Sequence, residues 1–346
     1  MAKSVSHKSS ESEASEVEKL KDQLAHLPKT EMPSRVSPML ASPTTEPFDD
    51  DEWIFEDKLD GYRAVAFSNN GKIGLRSKEG KDYYTDYPPI VKALKDLEEG
   101  VVLDGEIVVL DKKGHPDFGA MERWDRYSDE KIYYYVFDLI WFDGHDLKEI
   151  PLIYRTELLR VLIPEKSIIR YVDYVEGNGI KLYNDIKKQD LEGIVAKKKD
   201  SIYLLGKRSP TWKKITVRQI ARFVFGGWVE ADRGTGFKSL LFGFYDNGDL
   251  IYYHHCGHGW TEKQMREMHA MFKTIETDEN PFVNEVNYPG NIHWMKPIVG
   301  EIKVSRISKA GKIRHSHPAI LEGWCPGVEP TSVTFDTIPW LSKKKK

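Results

Sequence analysis

Short runs rich in β-branched and aromatic residues recur through the first two-thirds of the chain: WIFE, YRAVAFS, KIGLRS, GVVLDGEIVVLD, KIYYYVFDLIWF and EGIVAKKK. Runs of this length and composition read as strands. Helical signals lie between them. Pro88 and Pro89 open a segment that places Ile90, Leu94 and Leu97 at helical spacing, and Arg155 to Leu162 carries Leu158, Leu159 and Leu162. The mixture predicts an α+β domain built on antiparallel sheets.

The texture changes near residue 219. FVFGGWVE, SLLFGFYD and LIYYHHC are short strands with turns between them, notably DNGD at 246–249. One helix follows, with Met265, Met268 and Phe272 on one face, and GEIKVSRISKAGKIRH reads as a late hairpin. Short strands with a single helix suit a small barrel of the OB type. A length of 346 residues also exceeds one ordinary core. The expected division is a tail at 1–35, an α+β domain at 36–218, an OB-type barrel at 219–330 and a basic tail at 331–346. Within the first tail, VEKLKDQLAHL predicts one marginal helix.

No apolar run approaches the length of a membrane span, and the first thirty residues are polar, so neither a membrane nor a secretory route is expected. Cys256 and Cys325 lie far apart, which excludes a CxxC pair and suits a reducing, cytoplasmic compartment. The net charge of −3 argues against a polyanionic ligand, but its distribution argues for one. Between Lys197 and Arg222 stand Lys197, Lys198, Lys199, Lys207, Arg208, Lys213, Lys214, Arg218 and Arg222, against Asp200 alone. Local field outweighs net charge for such a ligand, although a solvated basic face fits the same run.

FEDKLDGYR at 55–63 sets Lys58 between Asp57 and Asp60, just before Gly61. Lys58 is either an exposed ion-pairing residue or a nucleophile. As a nucleophile its amine must be neutral, which flanking carboxylates alone oppose and nearby cations favour. Four further segments follow in order: LDGEIVVLD with Glu106, KIYYYVFDLIWFDG with Phe137, LEGIVAKKK with Glu192 and Lys197, and SPTWKKI with Lys213 and Lys214. Each alone reads as a strand end, core aromatics or surface lysines. Together they supply a lysine, two carboxylates, an aromatic platform and further cations, the equipment for holding a nucleotide and attacking its α-phosphate.

From about Pro38 (SPMLASP) to about Gly323, this ordered set resembles the covalent nucleotidyltransferase superfamily of DNA ligases, RNA ligases and mRNA capping enzymes. It resembles most the ATP-dependent ligase module of the bacterial end-joining enzymes, ligase D, and their stand-alone relatives. FVFGGW and WMKPIVGEIKVSRIS match that module in the second domain. No polymerase or nuclease module is read in the sequence, and the zinc-binding and helix-hairpin-helix parts of NAD-dependent ligases are absent, so the implied cofactor is ATP.

The resemblance implies a fold of a nucleotidyltransferase domain plus an OB domain, and a reaction that seals 5′-phosphate to 3′-hydroxyl at a nick. It assigns Lys58 as the nucleophile that becomes lysyl-AMP. Arg63 and Glu106 match sugar contacts, Phe137 matches the aromatic that stacks on adenine, and Glu192 matches a metal-coordinating carboxylate, with Glu106 as a second. Lys197 and Lys214 match lysines near the phosphates, and Glu56, Lys78 and Arg208 complete the implied nucleotide site. Mg²⁺, with Mn²⁺ as a substitute, suits phosphate-bridging chemistry. Phe118, Lys198, Lys199, Lys213 and Arg218 are the implied DNA contacts, with a loop phenylalanine in the core as the other reading of Phe118. The implied partners are nicked duplex DNA and end-joining or repair proteins. The chain is read as a monomer, associated with the nucleoid if bacterial.

Three departures stand out. Ser77-Lys78 replaces the family's Ser-Arg, which keeps the charge but loses the bidentate fork. Thr216 replaces the second lysine of W-x-K-x-K, a contact that Lys213 or Arg208 would have to supply. The family's closing R-x-D-K, which orients the pyrophosphate leaving group, aligns with Trp324, Pro326 and Gly327; Lys309, Lys312 and Arg314 are the candidate substitutes, unless an upstream basic residue does the usual job. HHCGHGW, His254 to Trp260, fits no standard zinc spacing. An RNA ligase, a capping guanylyltransferase and a non-catalytic nick-binding protein remain as alternatives; FVFGGW favours the DNA ligase over the first two, and intact Lys58, Glu106 and Glu192 oppose the last.

Overall fold

The computed structural model describes residues 22, 24–97, 100–164, 167–233, 236–305, 307, 311–313 and 319–342. The chain divides into two units, Met1–Val217 and Arg218–Lys346. The first holds strands β1 (Leu40–Thr44), β2 (Asp50–Asp57), β3 (Tyr62–Asn69) and β4 (Lys72–Ser77), helix α1 (Pro88–Lys95), β5 (Val101–Val109), α2 (Phe118–Arg123), β6 (Ile132–Phe142), β7 (His145–Asp146), α3 (Leu152–Leu162), β8 (Ile169–Tyr171), β9 (Tyr174–Gly177), α4 (Gly179–Lys188), β10 (Gly193–Lys198) and β11 (Arg208–Thr216).

These strands form two sheets, one ordered β1-β11-β10-β2-β9 and the other β4-β3-β5-β6-β7 with β8 on β6. Most pairs are antiparallel, as the sequence predicts, but β1 joins β11 and β8 joins β6 in parallel. Ile54, Val65, Val102, Ile140 and Trp212 belong to one buried cluster drawn from both sheets. Ile90, Leu94, Leu158 and Leu159 bring α1 and α3 into the same cluster as Leu103 and Tyr134 of the second sheet, while Ile186 of α4 packs on Phe55, Ile194 and Ile215 of the first. Pro89 and Pro88 open α1 at positions where a missing N–H costs nothing.

The second unit holds β12 (Gln219–Glu230), β13 (Phe237–Asp246), β14 (Asp249–His258), α5 (Glu262–Thr274), β15 (Glu276–Thr277), β16 (Ile292–Val304), β17 (Ala319–Trp324) and a terminal helix α6 (Pro339–Ser342). Pairing runs β12-β13-β14-β17-β16 and closes through β16 on β12. With α5 between the third and fourth strands of the ring, this is the connectivity of an OB-type barrel. A capping box between Thr261 and Gln264 starts α5, whose Met268 and Phe272 enter the barrel core.

Three sequence expectations are corrected. The first tail does not run to residue 35: Leu24 is buried, Leu27 packs beside it, and the Thr30 N–H donates to the Gly144 carbonyl at 2.6 Å. Positions 1–21 and 23, with most of the expected short helix, lie outside the described residues. Nor is 331–342 a solvated tail, since Val333, Ile338, Trp340 and Leu341 are buried in the barrel's clusters. These apolar side chains are interspersed among polar ones without a period, and the lysines beyond them dominate the charge of the segment. The late hairpin is longer than GEIKVSRISKAGKIRH, because the strand returning against β16 is β17; an isolated bridge joins Ile307 to Ile313.

Candidate active site

Register builds the site. Lys197 stands opposite Trp212, and Val195 opposite Lys214 on one side and Glu56 on the other. The two-residue period therefore turns Glu56, Val195, Lys197, Trp212 and Lys214 to one face of the first sheet. On the second sheet Arg63 lies directly opposite Glu106. These residues, with Leu40, Ala41, Asp57, Lys58, Leu59, Lys78, Phe137 and Arg208, line a cleft of about 260 Å³. Nine residues that the sequence assigns to a nucleotide site thus share one cavity: Glu56, Lys58, Arg63, Lys78, Glu106, Phe137, Lys197, Arg208 and Lys214.

Lys58 follows the end of β2. Its N–H donates to the Gly193 carbonyl at 2.9 Å, which ties it to the start of β10. Its side chain pairs with Glu192, which precedes the same strand. The carboxylate that meets the amine thus comes from 134 positions away. Gly61 is required because a Cβ there would collide with the Ile107 carbonyl of β5, so no other residue lets the turn after Lys58 come so near the second sheet.

Lys197 is buried and meets the Glu56 carboxylate at 2.7 and 2.8 Å and the Phe137 carbonyl at 3.1 Å. Its ammonium also sits 4.5 Å from the Phe137 ring centroid and 4.4 Å from that of Trp212. Burial outweighs the attraction of Lys197 and pushes the Glu56 carboxyl up to about 7. Removing one partner would strand a buried charge, at a cost of about 3–5 kcal/mol.

Glu106 is also pushed up to about 7 by burial, opposed by Arg63 and Lys58 and reinforced by Glu192. Desolvation, with Lys58 and Arg208 nearby, lowers the Lys214 ammonium. Arg208 donates to the Ala41 carbonyl. Arg63 is gripped by Asp104 through Nε at 2.6 Å and Nη2 at 2.7 Å, and stands 4.6 Å above the Phe137 ring.

Sequence reasoning missed Asp104 and Tyr203. Asp104 precedes Glu106 by two positions on a strand, a spacing that signals a shared face. Tyr203, 99 positions from Asp104, has no such local signal.

The expected DNA contacts lie elsewhere. Lys213 faces away from Lys214, 4.7 Å from the Phe48 ring and 4.6 Å from that of Trp53. It does not replace the cation lost at Thr216; Arg208 is the one in the cleft. Lys198 pairs with Glu52 and Asp200, and Lys199 with Glu176. The basic run is therefore opposed by more acid than Asp200, a correction that the linear sequence hides. Phe118 packs edge-on to Tyr62 at 5.6 Å, and Arg218 begins the second unit. Among the described residues no group of three or more His, Cys, Asp or Glu is arranged for a metal, and no helix is long and apolar enough to cross a membrane.

The family model for the ATP dependent DNA ligase domain matches residues 38–216, and that for the ATP dependent DNA ligase C terminal region matches 233–322. The chain belongs to the ATP-dependent DNA ligase family. It is 33% identical over 304 residues to the multifunctional non-homologous end joining protein LigD of Mycolicibacterium smegmatis, covering 85% of this chain and 40% of that protein. The SPbeta prophage-derived DNA ligase-like protein LigB of Bacillus subtilis is 30% identical over 281 residues, covering 81% of this chain and 96% of that one. The crystal structure of the ligase domain of Mycobacterium tuberculosis LigD superposes with a TM-score of 0.53 at 31% identity, over 86% of this chain and 98% of that domain. A mycobacterial DNA ligase D complexed with ATP and MES gives 0.51 at the same identity, over 86% and 98%. The chain spans about two-fifths of the length of the LigD proteins it matches.

Proposed function

We propose that this ligase seals nicks in duplex DNA with ATP, in end joining or repair, through a covalent adenylate on Lys58. The cleft carries the reading: it joins a lysine in contact with a carboxylate, an aromatic ring and several cations in one cavity. In this proposal the first unit carries out adenylation and the second engages DNA.

In this reading Lys58, oriented by the Glu192 carboxylate in contact with it, gives its proton to solvent, and the freed lone pair attacks the α-phosphate as the bond to pyrophosphate breaks. Phe137 offers a face for adenine, with Trp212 and the Lys197–Glu56 pair behind it. Arg63 and ionised Glu106 hold the sugar. Lys78, Arg208 and Lys214 lie where phosphate charge must be offset. AMP then passes to the nick's 5′-phosphate, and the 3′-hydroxyl displaces it.

The donor set fits a hard divalent cation. Glu106 and Glu192 supply oxygens beside Lys58, and two carboxylates suffice for a metal that also takes phosphate oxygens and water. Mg²⁺ held there would neutralise charge on the reacting phosphate. Phe118, Arg218, Lys213, Lys198 and Lys199 are the proposed DNA contacts, and Lys198 and Lys199 would have to leave their acidic partners to reach a phosphate.

A sealing assay tests the reading, using a 5′-phosphorylated nicked duplex, ATP and Mg²⁺, with α-labelled ATP to capture the adduct. Sealed DNA and a Lys58-linked label are expected. Labelling by GTP in place of ATP, or sealing of nicked RNA alone, would overturn it.

A further inference from the structure

Resting on that reading, we infer that Tyr203 is a positioning residue for nucleotide binding, acting on Arg63 through Asp104. Tyr203 lies on the connection between β10 and β11 and is 2% exposed. Its hydroxyl donates to Asp104 Oδ2 at 2.5 Å and accepts the Met39 N–H at 3.1 Å. Asp104 holds Arg63 by two hydrogen bonds, and Arg63 Nη2 also donates to the Met39 carbonyl at 3.2 Å. One phenol thus ties together the two supports of a cleft arginine: the carboxylate that grips it and the backbone unit that accepts from it.

Met39 leads directly into Leu40 and Ala41, which form part of the cleft wall. The ring of Tyr203 stands edge-on to Trp212 at 5.9 Å, another lining residue. Burial, reinforced by Asp104, raises the phenol well above its ordinary range, so it remains a donor throughout the working pH range. A guanidinium held by a bidentate carboxylate is already restrained. The tyrosine fixes which way that carboxylate presents its oxygens, and so where the guanidinium's free edge points.

Tyr203→Phe keeps the ring and its packing but removes both hydrogen bonds. The experiment measures ATP dissociation constants by calorimetry, alongside KM and kcat for self-adenylation, in wild type, Tyr203→Phe, Arg63→Ala and the double variant. Loss of a charge-assisted bond predicts ATP affinity weakened about tenfold in Tyr203→Phe, mostly in KM. In the Arg63→Ala background the same change should have little effect, because the residue it positions is gone. A merely structural tyrosine would instead weaken both backgrounds by the same factor. That result, or unchanged ATP affinity in Tyr203→Phe, would overturn the inference. A wild type that binds ATP but forms no adduct would remove Lys58 as nucleophile while leaving Tyr203 testable by the binding arm. A wild type that does not bind ATP would overturn both.

Discussion

Lys58 is the residue on which the proposed chemistry turns, and its surroundings make a clean test. Its side chain is 22% exposed and sits at a strand end outside the apolar clusters, so truncation should leave the fold standing. Lys58→Ala should abolish labelling by α-labelled ATP while the circular dichroism and melting curve stay close to wild type. Lys58→Arg should be equally inactive, because a guanidinium does not deprotonate and so cannot attack. A labelled Lys58→Ala protein would refute the assignment. Glu106 and Glu56 set the pH dependence. Burial pushes both carboxyls up to about 7, so each gains negative charge as the pH rises through that region. If the charged forms serve the nucleotide, adenylation should rise with pH through about 7. Glu106→Gln should be slower and its rise shallower, since one of the two ionisations is gone. A flat single-turnover profile from pH 6 to 8 in wild type would contradict this. At this scale Lys58, Glu192 and the Lys197–Lys214 pair were legible because each lies in a short chemical motif. Asp104 and Tyr203 were not, because their roles arise from contacts between distant segments.

Among the elements, β10 and the terminal helix α6 show where charge and pattern misled. The lysines closing β10 read as a positive stripe, yet Glu52, Asp200 and Glu176 meet them from β2, the following turn and β9. Paired lysines release fewer counterions on binding a polyanion. Nicked-duplex binding should still weaken with salt, but Lys198→Ala/Lys199→Ala should lower the log–log salt slope by less than about 2, the value for two free phosphate contacts. A drop of two or more, measured by fluorescence anisotropy over a salt series, would show that DNA displaces those acidic partners. The helix α6 is the converse case. Trp340 is buried and lies 5.8 Å from Phe223, with its indole N–H donating to the Tyr253 hydroxyl at 3.1 Å. Trp340→Ala should destabilise the second unit by about 3–5 kcal/mol, the usual cost of emptying a buried aromatic site. Urea unfolding followed in that unit would check it. The antiparallel hairpins were legible from alternation, whereas the parallel joins of β1 to β11 and β8 to β6 pair segments too far apart for any local pattern to announce.

For the whole molecule, the sequence order of motifs conveyed a two-part ligase, and the strand ring of the second unit follows from its alternating runs. Its end departs from the family pattern in a way that bears on the reaction as a sequence of steps. By the alignment above, Trp324 takes the place of an arginine, and Pro326 and Gly327 supply no charge. The ring of Trp324 is spent on packing, edge-on to Phe225 at 4.9 Å and to Phe272 at 5.9 Å. It therefore packs in the barrel and brings no positive charge to a phosphate. Of the candidate substitute cations, Lys312 is described, while Lys309 and Arg314 lie outside the described residues. Pyrophosphate leaves only in the first step, so a missing cation for the leaving group should slow self-adenylation and spare the later steps. The protein should then seal a pre-adenylated nick faster than it adenylates itself. Alanine at Lys309, Lys312 and Arg314 together should slow adenylation further, by about tenfold if one charge-assisted contact is lost. Single-turnover rates for the two half-reactions decide the matter. Adenylation much faster than sealing, and unchanged by the triple substitution, would mean that a basic residue upstream performs the work and that the apparent degeneracy at Trp324 has no kinetic consequence.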